Sequence, residues 1–524
     1  MQNKTTLHTH NEILPVSEPW HRGSGFTWML LALAGLVFFL SGAVAKAQQN
    51  IYNRDNSGTG QWWNDGANPW YYSGWNSAER RPDIWPVGTR NNLFIGHNNN
   101  TTMTVNGYFF AVNSLTIQSG ASSDRTFNSA DGGGIGFASA GFTNSSSSAA
   151  QLFNVGIGVD ASTVNFNSSS SGLTTFASNF YLNANTAAFG GSGNFTLSGV
   201  VSGEGEGGNI SKSGSGTLTL AGANTFAGTA SVSAGTIQTT HDNVIANNAS
   251  VSITGGNFVF GGNDTVESIT ATGGRLSVAS GKTATLSANS SIGASSEMVG
   301  GTVAVASGAT LTLNSDDADN TSALVVASGG TLKGSGTTTG TLSVSGILAP
   351  GNSTGILDVG NTTFLGGGNY DWEIDNFGGT VGTSWDFLNI TGSLSISATS
   401  GDKFIIDVIS LLASNDTSGA ASGFVFTDSY SFAIATASGG ISNFDAGKFA
   451  INTGGFQNAM TAAGYNAGSW AIAQDGNSLK LSYTGATLQN VSSASAIPEP
   501  SSASMLVLGL AALLAKRRRE IARG

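Results

Sequence analysis

The stretch Lys212–Gly228, with the sequence KSGSGTLTLAGANTFAG, decides the fold. Successive side chains of a β-strand point to opposite faces, so Leu218 and Leu220 share one face while the threonines beside them face the other way. Val232 and Ile237 follow on later strands that reach the same apolar interior. The pattern predicts coils of about 20 residues, each paired in parallel with its copy about 4.8 Å away.

The composition agrees with a repetitive all-β fold. The 524 residues include 74 glycines and only 8 prolines, and hydrophobic residues make up 40% of the chain. Alternation of these apolar residues with small polar ones is the signal of half-buried strands, and glycine and asparagine supply the turns between them. Because there is no cysteine, no disulfide framework is expected and the core has to hold the fold together.

Two segments carry a resemblance to known coils. The positions of residues 211–237 that match the autotransporter-associated β-strand repeat are Gly214, Gly216, Leu218, Leu220, Gly222, Asn224, Thr225, Phe226, Gly228, Gly235 and Ile237. The segment Gly346–Leu357 is similar to the Leu-x-Pro-Gly-Asn-Ser-Pro-Gly coil of passenger solenoids, with Thr354 in place of the second proline. Both resemblances imply a right-handed parallel β-helix.

The chain divides into segments of different composition. Residues 48–90 hold five of the ten tryptophans and are predicted to form an aromatic cap over the first coil, because an open solenoid end exposes core and strand edges. A sugar-stacking platform is the alternative. Residues 91–395 are predicted to form the β-helix, residues 396–484 a β-rich C-terminal cap, and residues 485–496 a polar linker.

The N-terminus has the pattern of a secretory signal peptide, spanning residues 1–47. Trp28–Leu40 is an almost unbroken apolar run, and small residues at Ala45 and Ala47 follow it. This order predicts a signal helix and cleavage before Gln48. An uncleaved N-terminal membrane anchor is the alternative.

The C-terminus has three parts in a fixed order: Ile497–Pro500, the apolar run Met505–Ala515, and the basic cluster Lys516–Arg519. Such a short apolar run would be a weak, transient anchor in the inner membrane, with the basic cluster on its cytoplasmic side. Residues 497–524 resemble the PEP-CTERM sorting signal. The positions to which the resemblance gives a role in sorting or processing are Pro498, Glu499, Pro500, Arg517, Arg518 and Arg519.

That resemblance implies a partner and a destination. The partner would be an exosortase, a membrane peptidase that cuts near Pro498–Pro500. The protein would then be secreted to the cell surface or the extracellular matrix of a Gram-negative-type bacterium. The formal net charge of −11 becomes more negative once both ends are removed, which argues against nucleic acid as a partner because that would require a basic face.

One strand carries the strongest candidates for chemistry. Asp371, Glu373 and Asp375 alternate along the chain, so in a strand their carboxylates share one face. They could hold Ca²⁺ or act as acid and base in glycan cleavage. The favoured interpretation is a solvated strand face with Trp372 and Ile374 pointing inward, so no metal and no cofactor are expected.

Other acidic positions have weaker patterns. Asp386, within Ser384–Ile390, belongs to a strand that looks structural. Asp316, Asp317 and Asp319 form an acidic turn whose composition suits Ca²⁺, although its spacing matches no known loop.

The functional prediction is a non-catalytic surface or matrix protein. Its hydroxyl-covered β-helix would serve adhesion, or association with exopolysaccharide in a biofilm, through many weak contacts. The alternative is a glycan-active β-helix enzyme, a polysaccharide lyase or hydrolase. That alternative requires a lysine or arginine near two carboxylates.

Overall fold

The computed structural model describes residues 50–53, 59–61, 70–72, 92–96, 102–105, 110–129, 132–203, 205, 207–489 and 502–521. The signal-peptide positions Ala45 and Ala47, most of the predicted aromatic cap and the Pro498–Pro500 motif lie outside these ranges.

The N-terminal third of the described chain consists of short strands: β1 (Asn50–Asn53), β2 (Thr59–Gln61), β3 (Trp70–Tyr72), β4 (Asn92–Ile95), β5 (Thr102–Val105), β6 (Phe110–Ile117), β7 (Arg125–Ser129), β8 (Gly134–Asn144), β9 (Gln151–Asn154), β10 (Gly156–Val159), β11 (Thr163–Ser168), β12 (Thr174–Phe176), β13 (Phe180–Tyr181), β14 (Thr186–Gly190), β15 (Phe195–Leu197) and β16 (Val201–Ser202).

The middle third continues in the same way: β17 (Asn209–Lys212), β18 (Thr217–Leu220), β19 (Thr229–Val232), β20 (Thr236–Thr239), β21 (Ser250–Ile253), β22 (Asn257–Phe260), β23 (Asp264–Val266), β24 (Ile269–Ala271), β25 (Gly274–Leu286), β26 (Ser290–Ile292), β27 (Ser296–Val305), β28 (Thr310–Leu313), β29 (Ala323–Val326), β30 (Thr331–Gly334), β31 (Leu342–Val344), β32 (Ile347–Pro350), β33 (Ile356–Val359) and β34 (Thr362–Phe364).

The remaining strands are β35 (Asn369–Ile374), β36 (Phe387–Ile390), β37 (Leu394–Ile396), β38 (Phe404–Ser410), β39 (Tyr430–Ala437), β40 (Ile441–Ser442), β41 (Phe449–Asn452), β42 (Tyr465–Asn466), β43 (Ser469–Asp475), β44 (Ser478–Thr484) and β45 (Thr487–Leu488). Among the described residues, a short 3₁₀ turn spans Ala446–Lys448, and an α-helix, α1, spans Ser502–Ile521.

Most strands belong to two long parallel ladders, which makes the fold a parallel β-solenoid. Sheet A contains β4, β6, β8, β11, β14, β17, β19, β21, β24, β26, β28, β30, β32, β35, β38 and β41 in that order. Sheet B contains β5, β7, β9, β12, β15, β18, β20, β22, β25, β27, β29, β31, β34, β37 and β40. The prediction of an all-β parallel β-helix followed by a C-terminal helix is confirmed.

Alternating burial explains why the repeat stretch forms strands. In β18, Leu218 and Leu220 are fully buried while the two threonines are half-exposed. Leu218 lies in register with Phe195 in one neighbouring coil and with Ile237 in the other. Each coil therefore buries its apolar face only against its neighbours, which is the reason a solenoid needs several coils.

Stacked aromatic rings fill the core of the early coils. The ring centroids of Phe127 and Phe153 are 4.3 Å apart with nearly parallel planes, and Phe176 continues the stack at 4.9 Å from Phe153. The stack forms because the three residues are in register on successive strands of sheet B. Aromatic pairs at these separations stabilise the fold beyond the area that they bury.

Glycine is required where neighbouring coils approach at the corner of the repeat. Gly235 has a φ of +68°, and a Cβ at this position would lie 2.2 Å from the carbonyl oxygen of Gly214. Both the backbone conformation and the close approach exclude a larger side chain.

Buried asparagine side chains tie coils together. The amide of Asn224 is 5% exposed. It accepts a hydrogen bond from Val201 N (2.8 Å) and donates one to Val244 O (2.9 Å), so it joins three consecutive coils. Asn320 has the same role further along, accepting from Met298 N (2.7 Å) and donating to Thr337 O (2.9 Å).

Parallel pairing extends beyond residue 395, through β38 to β41. A third sheet changes direction here: β33, β36 and β39 are parallel, and β44 and β43 then add in antiparallel orientation. Aromatic side chains pack under these last strands. Trp372 contacts Phe432 (5.4 Å between ring centroids) and Trp470 (6.2 Å).

Candidate functional site

Strand β35 places the predicted carboxylates on the outer side of sheet A. Trp372 and Ile374 are fully buried, while Asp371 and Glu373 between them are half-buried. The predicted alternation is therefore confirmed, with the two apolar residues inward. Asp375 follows directly after the strand and is also half-buried.

We call the carboxylates of Asp371, Glu373, Asp375 and Asp407 the acidic face. Asp407 and the neighbouring Asn369 were not singled out from the sequence. Asp407 on β38 lies in register with Asp371. The side-chain amide of Asn369 donates to Oδ1 of Asp371 (2.8 Å) and to Oδ2 of Asp407 (2.6 Å), so one amide group joins both carboxylates.

Three carboxyl groups of the acidic face have raised pKa values. Burial, together with the negative charge of Asp407, raises the pKa of Asp371 to about 6. Burial is also the main cause that raises the pKa of Glu373, followed by repulsion from Asp371 and Asp416. The pKa of Asp375 is raised by burial and by Asp416. Desolvation and like charges both disfavour the ionised form.

Asp386 has a structural role beneath this face. It is fully buried, and its two carboxyl oxygens accept hydrogen bonds from Gly355 N (2.8 Å) and Glu373 N (2.9 Å). Burial raises its pKa well above the usual range. The side chain joins β35 to the loop before β33, in agreement with the expectation that its strand is structural.

Among the described residues, the acidic face has neither a closely paired basic side chain nor a metal-binding group of three side chains. No lysine or arginine nitrogen among them lies within 4.0 Å of the carboxylates of Asp371, Glu373 or Asp375. Lys333 is close enough for its charge to oppose the rise in the pKa of Glu373. Within the same ranges, no group of three His, Cys, Asp or Glu side chains could hold a metal ion.

A different part of sheet A presents an uncharged row of hydroxyl groups. Six residues, one from each successive strand, lie in register on its outer side, and we call them the hydroxyl row: Ser211, Ser231, Ser252, Thr270, Ser291 and Thr312. The sequence showed hydroxyl-rich strands but not this register, because the spacing between coils varies from one pair to the next.

Most side chains of the hydroxyl row have no partner within the described protein. Ser231 Oγ donates to Ile210 O at 3.1 Å, but the other five hydroxyls make no hydrogen bond to the described residues. The equivalent side of sheet B differs. There Gln238 Nε2 donates to Thr219 Oγ1 (2.9 Å), and Arg275 pairs with Glu297 (2.5 Å).

The sorting residues are only partly described. Arg517, Arg518 and Arg519 are exposed near the end of α1, whereas Pro498, Glu499 and Pro500 lie outside the described residues. Among the helices of the described ranges, none combines the length and the apolar character needed to cross a membrane. The sorting roles of these residues remain predictions.

These features define a class of protein: a β-solenoid of parallel coils with a polar outer surface. Residues 210–238 match the family model described as a passenger-associated-transport-repeat. A search of curated proteins finds no match to the chain. In the repeat and in the solenoid fold, the chain is similar to autotransporter-type passengers, which are secreted or carried at the surface.

The structure gives a physical reason for several residues of the matched segment. Leu218 and Leu220 fill the core, Asn224 joins three coils, and Gly235 allows two coils to approach. The side chain of Lys212 is also fully buried. Its ammonium group donates to Gly214 O, and burial lowers its pKa to about 8.

Proposed function

We propose that this protein is a non-catalytic surface or matrix passenger that serves adhesion or association with exopolysaccharide. The observation that carries the proposal is the hydroxyl row, which offers one uncommitted hydroxyl group per coil at five of its six positions. A repeated polar surface supports weak contacts that become strong when many form together. The acidic net charge of −11 keeps such a surface soluble.

A binding and turnover assay tests this proposal. Purified protein, with residues 1–47 and 497–524 removed, is mixed with isolated extracellular matrix, and the bound fraction is measured by sedimentation. We expect retention on the matrix without release of reducing sugar ends. Failure to bind, or measurable turnover of the polysaccharide, would contradict the proposal.

The alternative function is a glycan-active enzyme centred on the acidic face. It is favoured by one observation: the pKa of Asp371 is raised to about 6 beside Asp407, which suits a general acid. In that case Asp371→Asn would abolish the release of sugar from polysaccharide. If wild-type protein releases none, the acidic face does not perform this chemistry.

Delivery to the surface is proposed to depend on the C-terminal tail. In this proposal an exosortase recognises Pro498–Pro500, the basic residues Arg517–Arg519 hold the orientation, and the chain is cut near the motif. A transient anchor in the inner membrane is part of the same proposal. The support is the resemblance of residues 497–524 to the sorting signal.

Intact-mass measurement of protein extracted from the cell surface tests the processing. We expect a species that begins at Gln48 and lacks Lys516–Gly524. Replacement of Glu499 by alanine is expected to leave uncut chain in the membrane fraction, while Glu297→Ala in the solenoid serves as the control and is processed normally. A surface form that retains Lys516–Gly524 would contradict the sorting proposal.

A further inference from the structure

We propose that the hydroxyl row is a docking surface for an uncharged, linear polysaccharide lying across the strands of sheet A. This inference rests on the proposed function and assigns it a place and a ligand chemistry. The row is one position wide and six strands long, from Ser211 to Thr312. With strands about 4.8 Å apart, it extends over roughly 24 Å, the length of a short oligosaccharide.

The absence of charge along the hydroxyl row favours an uncharged ligand over a charged one. All six side chains are neutral, whereas the same line of sheet A continues into charged residues. Lys333 is in register with Thr312, and Asp371 and Asp407 form a later pair. A polyanion would find no cation along the row itself, and a polycation would find the acidic face instead. A neutral polyhydroxyl chain is the ligand that the row fits.

The hydrogen-bonding state of the hydroxyls supports binding of such a ligand. Ser211, Ser252, Thr270, Ser291 and Thr312 make no hydrogen bond to the described protein, so their donors and acceptors face solvent. A sugar hydroxyl can replace water at each of them with little net change in hydrogen bonding. Single contacts are therefore weak, and affinity depends on engaging several coils at once.

A second hydroxyl-bearing line beside the row widens the surface. Thr229 lies in register with Ser250, and Thr310 with Thr331. Ser268 Oγ donates to Ser250 Oγ (3.0 Å) and so continues this line between the two pairs. Ser250 Oγ in turn donates to Glu267 Oε2 (2.9 Å), so this second line of hydroxyls is bordered by one carboxylate, while the hydroxyl row itself is neutral.

Binding of soluble polymers to immobilised protein lacking residues 1–47 and 497–524 tests the inference. The probes are a mixed-linkage β-glucan and dextran as neutral chains, polygalacturonate as a polyanion, and chitosan oligosaccharide as a polycation. We expect binding of at least one neutral probe, with little dependence on salt because no ion pairs form. Binding of a charged probe alone, or of none, would overturn the inference.

Matched variants locate the surface. The variant Ser252→Ala, Thr270→Val, Ser291→Ala, Thr312→Val removes four uncommitted hydroxyls and is expected to bind the neutral probe about tenfold more weakly. The control Thr217→Val, Thr236→Val changes outward threonines of sheet B and should stay within about twofold of wild type. Circular dichroism and melting curves establish that both variants fold. Equal affinities of the two variants would overturn the inference.

The same variants separate this inference from the broader function. If wild-type protein and the fourfold variant sediment equally with isolated matrix, the hydroxyl row is not the docking surface, although matrix association stands. If wild-type protein itself does not sediment with matrix, the proposed function fails.

Discussion

Raising the pH from about 4 to about 7 is expected to lower the free energy of unfolding by about 3 kcal/mol, opposite to the acid denaturation of most proteins. The cause is a set of carboxyl groups whose pKa is raised by burial. Asp264 is 2% exposed and its pKa is raised to about 6. The pKa of Asp371 is likewise raised to about 6, and those of Glu373 and Asp375 move in the same direction.

The sign follows from proton binding. Between about pH 4 and pH 6 the folded chain retains protons on these groups that the unfolded chain has released, so unfolding releases protons and stability falls as pH rises. A shift of two units corresponds to about 3 kcal/mol per group at most. Solvent screening of the half-buried Asp371 reduces its share to about 1 kcal/mol, and Asp264 contributes about 2 kcal/mol.

Urea unfolding at a series of pH values checks this expectation. Asp264→Asn removes the titrating contribution of Asp264, so its curve should be flatter than that of wild type and the variant should be the more stable protein at pH 7. Ser252→Ala, on the outer side of sheet A, changes no titratable group and is the control. A wild-type stability that rises between pH 4 and pH 7 would contradict the prediction.

Replacement of Asn224 by alanine is expected to lower the free energy of unfolding by about 2 kcal/mol, because a buried backbone N–H loses its acceptor. This group is Val201 N, in the coil before the asparagine, whereas Val244 O, in the coil after it, keeps the hydrogen bond that it accepts from the backbone N–H of residue 224 (3.1 Å). Val201 is fully buried, so water cannot take the place of the lost amide oxygen.

The matched control is Asn194→Ala. Asn194 Oδ1 accepts a hydrogen bond from Thr217 N (2.8 Å), which is the same kind of contact between coils, but in an exposed position. Water can replace the lost acceptor there, so the expected cost is below about 1 kcal/mol. Chemical unfolding of both variants gives the comparison. Similar losses for the two would mean that the burial of Asn224 does not determine its contribution.

The repeat segment predicted the fold because its core residues are close in sequence. Leu218, Leu220 and Ile237 alternate with polar residues within a single stretch, so the inward face could be read directly. The repeat period of the early coils was harder to recognise in the sequence. The residues joined by the side-chain bond between Asn128 and Asn154 are 26 apart, whereas Thr219 and Gln238 are 19 apart. Corners of unequal length obscure the period while the strands stay in register.

The unequal length of the corners also limited prediction of the acidic face. The alternation of Asp371 with Trp372 set the direction of both side chains. However, nothing in the local sequence pairs Asp371 with Asp407, because the intervening loop and strands determine which residue reaches the next rung. The buried position of Asp386 was consistent with its apolar neighbours, but its two backbone partners depend on how β35 meets the coil of β33.

Asn224 has a mechanical consequence for a protein carried at a surface. When the chain is pulled, coils of the solenoid can detach one at a time, since each is held to its neighbour by one row of backbone bonds in each sheet. A side chain that forms hydrogen bonds to the coils on both sides spreads the load over three coils at that point. Detachment that has begun elsewhere is therefore resisted at Asn224, and again at Asn320, where side-chain hydrogen bonds hold the coils on both sides.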